Sequence, residues 1–193
     1  MGNLDLTPVQ QYAGPLLDLG LTGKGIDIAL LDTGVDVGHP ALHDKVADFA
    51  FFNDQGVLEC GRAAFDTAKH GTHLAGIICG DQGIGVAPDA RLHVASVINS
   101  GWSLVRILAG LEWALNSPAR IVVLAVGSSW PNPVLFSMIE ALRRAGKLVI
   151  CPIGNGGKGR ATAPGIYSNV LSVGAVNPNG DVASFSGSRF IDG

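Results

Sequence analysis

Cysteine is scarce in this chain: Cys60, Cys79 and Cys151 lie far apart in 193 residues, with no Cys-x-x-Cys pair. Such spacing suits reduced, mostly buried thiols and argues against a disulfide framework or a zinc knuckle. Charge is scarce too, at 15% of residues, and the formal net charge of −3 comes with 13 basic residues that are scattered rather than clustered. That leaves no electrostatic footprint for nucleic acid or an anionic membrane, and neither is an expected partner. No apolar run reaches the ~18 residues that a membrane span needs. The N-terminal stretch, with Asp5, Pro8, Pro15, Asp18 and Lys24, holds no signal-peptide core. The sequence as written is therefore expected in the cytoplasm, or secreted if its N-terminus has been trimmed.

What the chain does have is apolar bulk, 47% of residues, and 27 glycines without a fixed period. At about 100 to 200 residues per domain, residues 1–193 read as one domain with a real core. Four β-branched-rich runs, 26–31, 91–98, 121–126 and 147–153, are nearly continuous rather than alternating. Parallel strands covered on both faces read this way. Helical patterns fall between them at 72–79, 104–115 and 134–145, the last closed by Gly146 at C′. Residues 167–176 read as a further strand, Asn177-Pro178-Asn179-Gly180 as a turn, and 182–185 as a short returning strand. Strands alternating with helices predict an α/β fold: a three-layer, doubly wound, mostly parallel sheet, expected to be incomplete at its C-terminal side.

Ligands of open parallel sheets gather at the carboxyl ends of the strands, where three groups stand out. Asp32 closes the first apolar run; a carboxylate there is partly desolvated and needs donors, although a turn-forming aspartate reads the same way. His70-Gly71-Thr72-His73 enters a small-residue helix that would hold an imidazole rigidly, as a general base or as a structural histidine. Its His-x-x-His spacing lacks the supporting carboxylate of a metal pair, so no metal and no cofactor is expected. Gly154-Asn155-Gly156 follows the fourth run. Gly154, Gly156 and Gly159 satisfy G-x-G-x-x-G, but Gly- and Pro-rich residues follow where a dinucleotide fingerprint opens a helix, which leaves a Rossmann-type nucleotide binder as the weaker alternative.

Taken together these motifs resemble those of the subtilisin-like serine proteases. Asp32-Thr33-Gly34-Val35-Asp36 with His39-Pro40 is similar to the family's aspartate motif, and His70-Gly71-Thr72-His73-Leu74-Ala75-Gly76 to its histidine motif. Gly85-Val86-Ala87-Pro88 resembles the segment that follows, Gly154-Asn155 the oxyanion segment, and 167–176 with Ala183-Ser184-Phe185-Ser186 the stretch beyond. The likeness runs over residues 21–185. It implies a serine endopeptidase in which Asp32 orients His70, His70 is the base and Asn155 donates to the oxyanion. It also implies a peptide or protein substrate added as a strand against Ser100-Gly101-Trp102 and Ala125-Val126-Gly127, with Gly154 beside the latter.

The chain departs from the family at three places. Ala125-Val126-Gly127 replaces the usual Ser-Leu-Gly. The turn from Cys79 to Ile84 is too short for the calcium-binding loop of many members. No Gly-Thr-Ser nucleophile motif follows Asn155, and Ser168, Ser172, Ser184, Ser186 and Ser188 lack its context. The expectation is a chain holding acid, base and oxyanion donor but no nucleophile, inactive alone, and completed by a missing C-terminal segment or a complementary chain. The alternative is a non-catalytic, peptide-binding pseudoenzyme or one half of a split protease.

Overall fold

The computed structural model describes residues 8–99 and 101–188. In chain order the elements are α1 (Pro8–Asp18), β1 (Asp27–Asp32), a 3-10 turn (Pro40–Leu42), β2 (Val46–Phe51), α2 (His70–Cys79) and β3 (Arg91–Ser96). There follow α3 (Leu104–Asn116), β4 (Ile121–Leu124), α4 (Pro133–Arg144), β5 (Leu148–Pro152) and β6 (Leu171–Val173). The strands form one sheet in the order β2-β3-β1-β4-β5-β6, every pairing parallel. From β1 the chain goes to the edge strand β2, returns to place β3 between β2 and β1, and then adds β4, β5 and β6 in turn on the other side. This is the predicted three-layer, doubly wound architecture, and its switch point lies at the carboxyl ends of β3, β1 and β4.

Alternation along the strands sorts the core into two layers. Ile28, Leu30, Leu92 and Val94 pack against Ala75 and Cys79 of α2. Ala29, Leu31, Ala95, Val122 and Leu124 pack on the opposite face against Ile107 and Leu111 of α3 and Ile139 and Leu142 of α4. The two outer helices start where capping chemistry dictates. Ser103 accepts from the Arg106 amide. Asn132 Oδ1 accepts from the amides of Val134 and Leu135, with Pro133 in the first turn. Gly146, at φ +79°, follows the end of α4 as predicted.

Several boundaries differ from the sequence reading. The helix predicted from residue 72 begins at His70, because a carboxylate outside the helix caps it earlier. The strand predicted over 167–176 is reduced to Leu171–Val173, and 182–185 forms no strand, only an antiparallel bridge between Val176 and Val182. Helix α1 and strand β2 were not anticipated.

Candidate active site

Asp32 ends β1 with its side chain wholly buried. Its two oxygens lie 2.8 and 2.9 Å from His70 Nδ1, and Oδ1 also accepts from the Thr33 amide at 2.6 Å. A carboxylate facing Nδ1 fixes the proton there, so the neutral ring presents an unprotonated Nε2. The His70 side chain is 55% exposed. No described residue hydrogen-bonds Nε2. The contact requires a close approach of two backbones: a Cβ on Gly71 would lie 2.0 Å from the Gly34 carbonyl oxygen and 3.2 Å from Asp32 Cβ.

Asp66, a residue that sequence reasoning missed, organises this junction. Its Oδ1 accepts from Thr33 Oγ1 at 2.7 Å and from the amides of Ala68 and Lys69. Its Oδ2 accepts from the Thr72 amide and from Thr72 Oγ1. Asp66 thereby satisfies one early amide of α2, that of Thr72, and two amides just before the helix, while Thr33 Oγ1 accepts from the Gly71 amide at 3.0 Å. Burial pushes the Asp66 carboxyl up, but the Thr72 and Thr33 hydroxyls and the Ala68 and Thr72 amides outweigh it and hold the group below its ordinary value. No local cap signal marks it, because the N-cap position is Lys69 and Asp66 lies three residues before it.

His70, Ala125, Val126, Gly127, Gly154 and Asn155 line one cleft of about 590 Å³. Asn155 is exposed and makes no hydrogen bond to a described residue. Thr162 stands between the two walls, its Oγ1 lying 3.0 Å from where a Gly127 Cβ would be and 2.5 Å from where a Gly154 Cβ would be. Of the other predicted substrate residues, Gly101 takes φ +105° and Trp102 is 48% exposed, whereas Ser100 lies outside the described residues. A larger cavity of about 760 Å³ borders another face of α2 and includes His39 and His73. His70 and His73 thus open onto different cavities. Among the described residues no group of three or more His, Cys, Asp or Glu could hold a metal ion.

Few hydroxyl or thiol groups line the cleft. Ser129 is the serine on its lining. Cys151 also lines it, but burial pushes that thiol up to about 12, so it carries no useful thiolate near neutral pH. Ser186 is buried, with its hydroxyl engaged by the Ala175 amide and the Gly187 carbonyl. Residues 153–170 contain no helix, so the glycine loop lacks the helix N-terminus that a dinucleotide fingerprint requires.

A doubly wound parallel sheet thus carries, at its carboxyl edge, a buried aspartate bonded to a histidine that lines a cleft. The profile of the Subtilase family of S8 peptidases matches residues 23–190, and the chain belongs to that family. It is 35% identical over 173 residues to Subtilisin Savinase of Lederbergia lenta, covering 86% of this chain and 61% of that protein. It is equally identical over the same length to the Alkaline protease of Alkalihalobacillus alcalophilus, covering 43% of that protein. To the Major intracellular serine protease of Bacillus subtilis (strain 168) it is 33% identical over 180 residues, covering 86% of this chain and 56% of the relative. The chain thus spans about half the length of these relatives. Among the described residues no helix is long and apolar enough to cross a membrane.

Proposed function

We propose that this chain forms the acid–base and oxyanion portion of a serine endopeptidase, with the nucleophile supplied from outside these residues. The observation that carries the reading is the buried Asp32 carboxylate set with both oxygens on His70 Nδ1. Asp32 holds the imidazole in one tautomer and stabilises the imidazolium once formed, without taking the proton itself. His70 Nε2 removes the proton from an incoming serine hydroxyl as that oxygen attacks the peptide carbonyl, and later returns it to the leaving amine. Asn155 donates its side-chain N–H to the oxyanion. Substrate backbone pairs with Ala125–Gly127 on one side and Ser100–Trp102 on the other, beside Gly154.

The nucleophile arrives on a further segment of the same protein or on a complementary chain. It seats on the apolar face beside His70, where Leu74, Val123, Ile150 and Val173 line the cleft. Expression of the coding region past codon 193, where it continues in frame through a Gly-Thr-Ser motif, is expected to give casein hydrolysis that His70→Ala abolishes. A folded product with that motif and no hydrolysis would overturn the reading.

One observation favours a second reading, a peptide-binding protein without catalysis: no described hydroxyl is bonded to His70. A stop codon directly after Gly193, together with peptide binding by the chain and no complementing partner, is the outcome that reading predicts.

A further inference from the structure

Helix α3 carries a charge where its neighbours are apolar. Arg106 is 3% exposed, on the same buried face as Ile107, Gly110, Leu111 and Ala114. Its guanidinium does not simply pair with an acid. Nε donates to the Val97 carbonyl at 3.1 Å, Nη2 to the Gly101 carbonyl at 2.8 Å, and Nη1 to the Asp54 carboxylate. Asp54 itself is 77% exposed, on a turn closed by Asn53 Oδ1, which accepts from the amides of Gln55 and Val57. Burying a guanidinium costs several kcal/mol, and an apolar residue of similar size commonly serves stability as well or better. Arginine at this position is explained by its fork, which binds two carbonyls and a carboxylate at once.

Those carbonyls bracket the segment that leaves the end of β3. At its start the amides of Val97 and Ile98 both donate to the Asp32 carbonyl, at 2.9 and 3.1 Å. In its middle Asn99 Nδ2 donates to the Phe52 carbonyl at 2.9 Å. At its end Gly101, at φ +105°, turns its carbonyl to Arg106. The segment is thus fastened at its start to the backbone of the residue that holds His70, and at both ends, through the Val97 and Gly101 carbonyls, to α3.

We propose that Arg106 is a positioning residue for peptide recognition, fixing residues 97–99 and Gly101 relative to the Asp32 backbone so that an extended peptide pairs with the Ser100–Trp102 stretch. Asp54 is the solvent-facing half of the same clamp. The inference rests on the reading of this cleft as a peptide site. Lysine does not replace arginine here, because a single ammonium does not span Val97, Gly101 and Asp54 together.

The test uses the 193-residue chain with acetyl-pentaalanine amide and acetyl-dialanine amide as probes, titrated by NMR, alongside amide hydrogen exchange. Losing a charge-assisted bond is worth about tenfold in an equilibrium constant. Arg106→Met and Arg106→Lys are each expected to weaken the pentapeptide by about that factor, leave the dipeptide unchanged, and raise exchange at 97–101 but not in β1 or β4. Asp54→Asn, which keeps both carbonyl bonds, is expected to weaken the pentapeptide about twofold or less and stands in if Arg106→Met fails to fold. Unchanged pentapeptide affinity in folded Arg106→Lys would overturn the proposal, as would equal loss for both peptides. Failure of the unsubstituted chain to bind the pentapeptide would instead overturn the peptide-site reading on which it rests.

Discussion

One face of the sheet is finished on one half and open on the other. Over β1 and β3, helix α2 covers Leu30, Leu92 and Val94 until none retains measurable exposure. On the same face over β5 and β6, Leu148, Leu171 and Val173 are each nearly half exposed, at 48%, 49% and 48%. In-register pairing of Val123 with Ile150 and of Ile150 with Leu171 carries the apolar stripe straight from the covered half into the open one. The contrast is chemical as well. The covered half delivers Asp32 bonded to His70 Nδ1, whereas the open half presents Asn155 with no hydrogen bond to a described residue. The Asp32–His70 pair is built by contacts within this chain, and among the described residues no hydroxyl is bonded to His70.

The largest effect expected from this contrast is in stability. Leu92→Ala removes a fully buried side chain and should cost about 2–5 kcal/mol, whereas Leu171→Ala, at a half-exposed position, should cost about 0.5 kcal/mol or less. Urea unfolding of both variants decides it, and equal costs would erase the distinction between the halves.

Next in size is the cap that joins α2 to β1. Asp66→Ala leaves the Thr33 hydroxyl and several amides without their acceptor, and should cost about 1–2 kcal/mol. Asp66 is held below its ordinary value of 3.8, so its contribution is complete above that pH and is lost as pH falls below it through the folded value. Asp66→Asn should therefore flatten the acid side of the stability–pH curve, as read from thermal unfolding across acid pH. An unchanged acid limb would remove Asp66 from the account.

Smallest is the effect on surface chemistry. The open half should bind the dye ANS or promote self-association, because contiguous apolar area beyond a few hundred Å² is rarely left bare on a monomer. Leu171→Lys with Val173→Lys should reduce dye fluorescence without changing far-UV circular dichroism. Undiminished dye binding would place the bare surface elsewhere.

The same contrast explains what was legible in the sequence. Strands β1, β3, β4 and β5 announced themselves because burial on both faces demands uninterrupted apolar runs. Strand β2 did not: it lies at the sheet edge, its residues Ala47 and Asp48 are exposed, and its register slips between Val46 and Asp48, so it reads as a mixed polar segment. Helix α1 was hidden by Gly14 and Pro15, residues that normally interrupt a helix. Asp32, His70 and Asn155 were legible through motif order and the strand ends that carry them. Asp66 and Arg106 were not, because each works by gathering backbone groups from several segments, and no local pattern encodes such a meeting. Arg106 did leave one trace, a charge on the apolar face of an otherwise regular helical repeat.

The proposed function rests on this chain holding the base and no nucleophile for it. Treatment of the purified 193-residue chain with a fluorophosphonate probe, followed by intact-mass measurement, tests it most directly: the account predicts no covalent adduct, and stoichiometric labelling of any serine in the chain would contradict it.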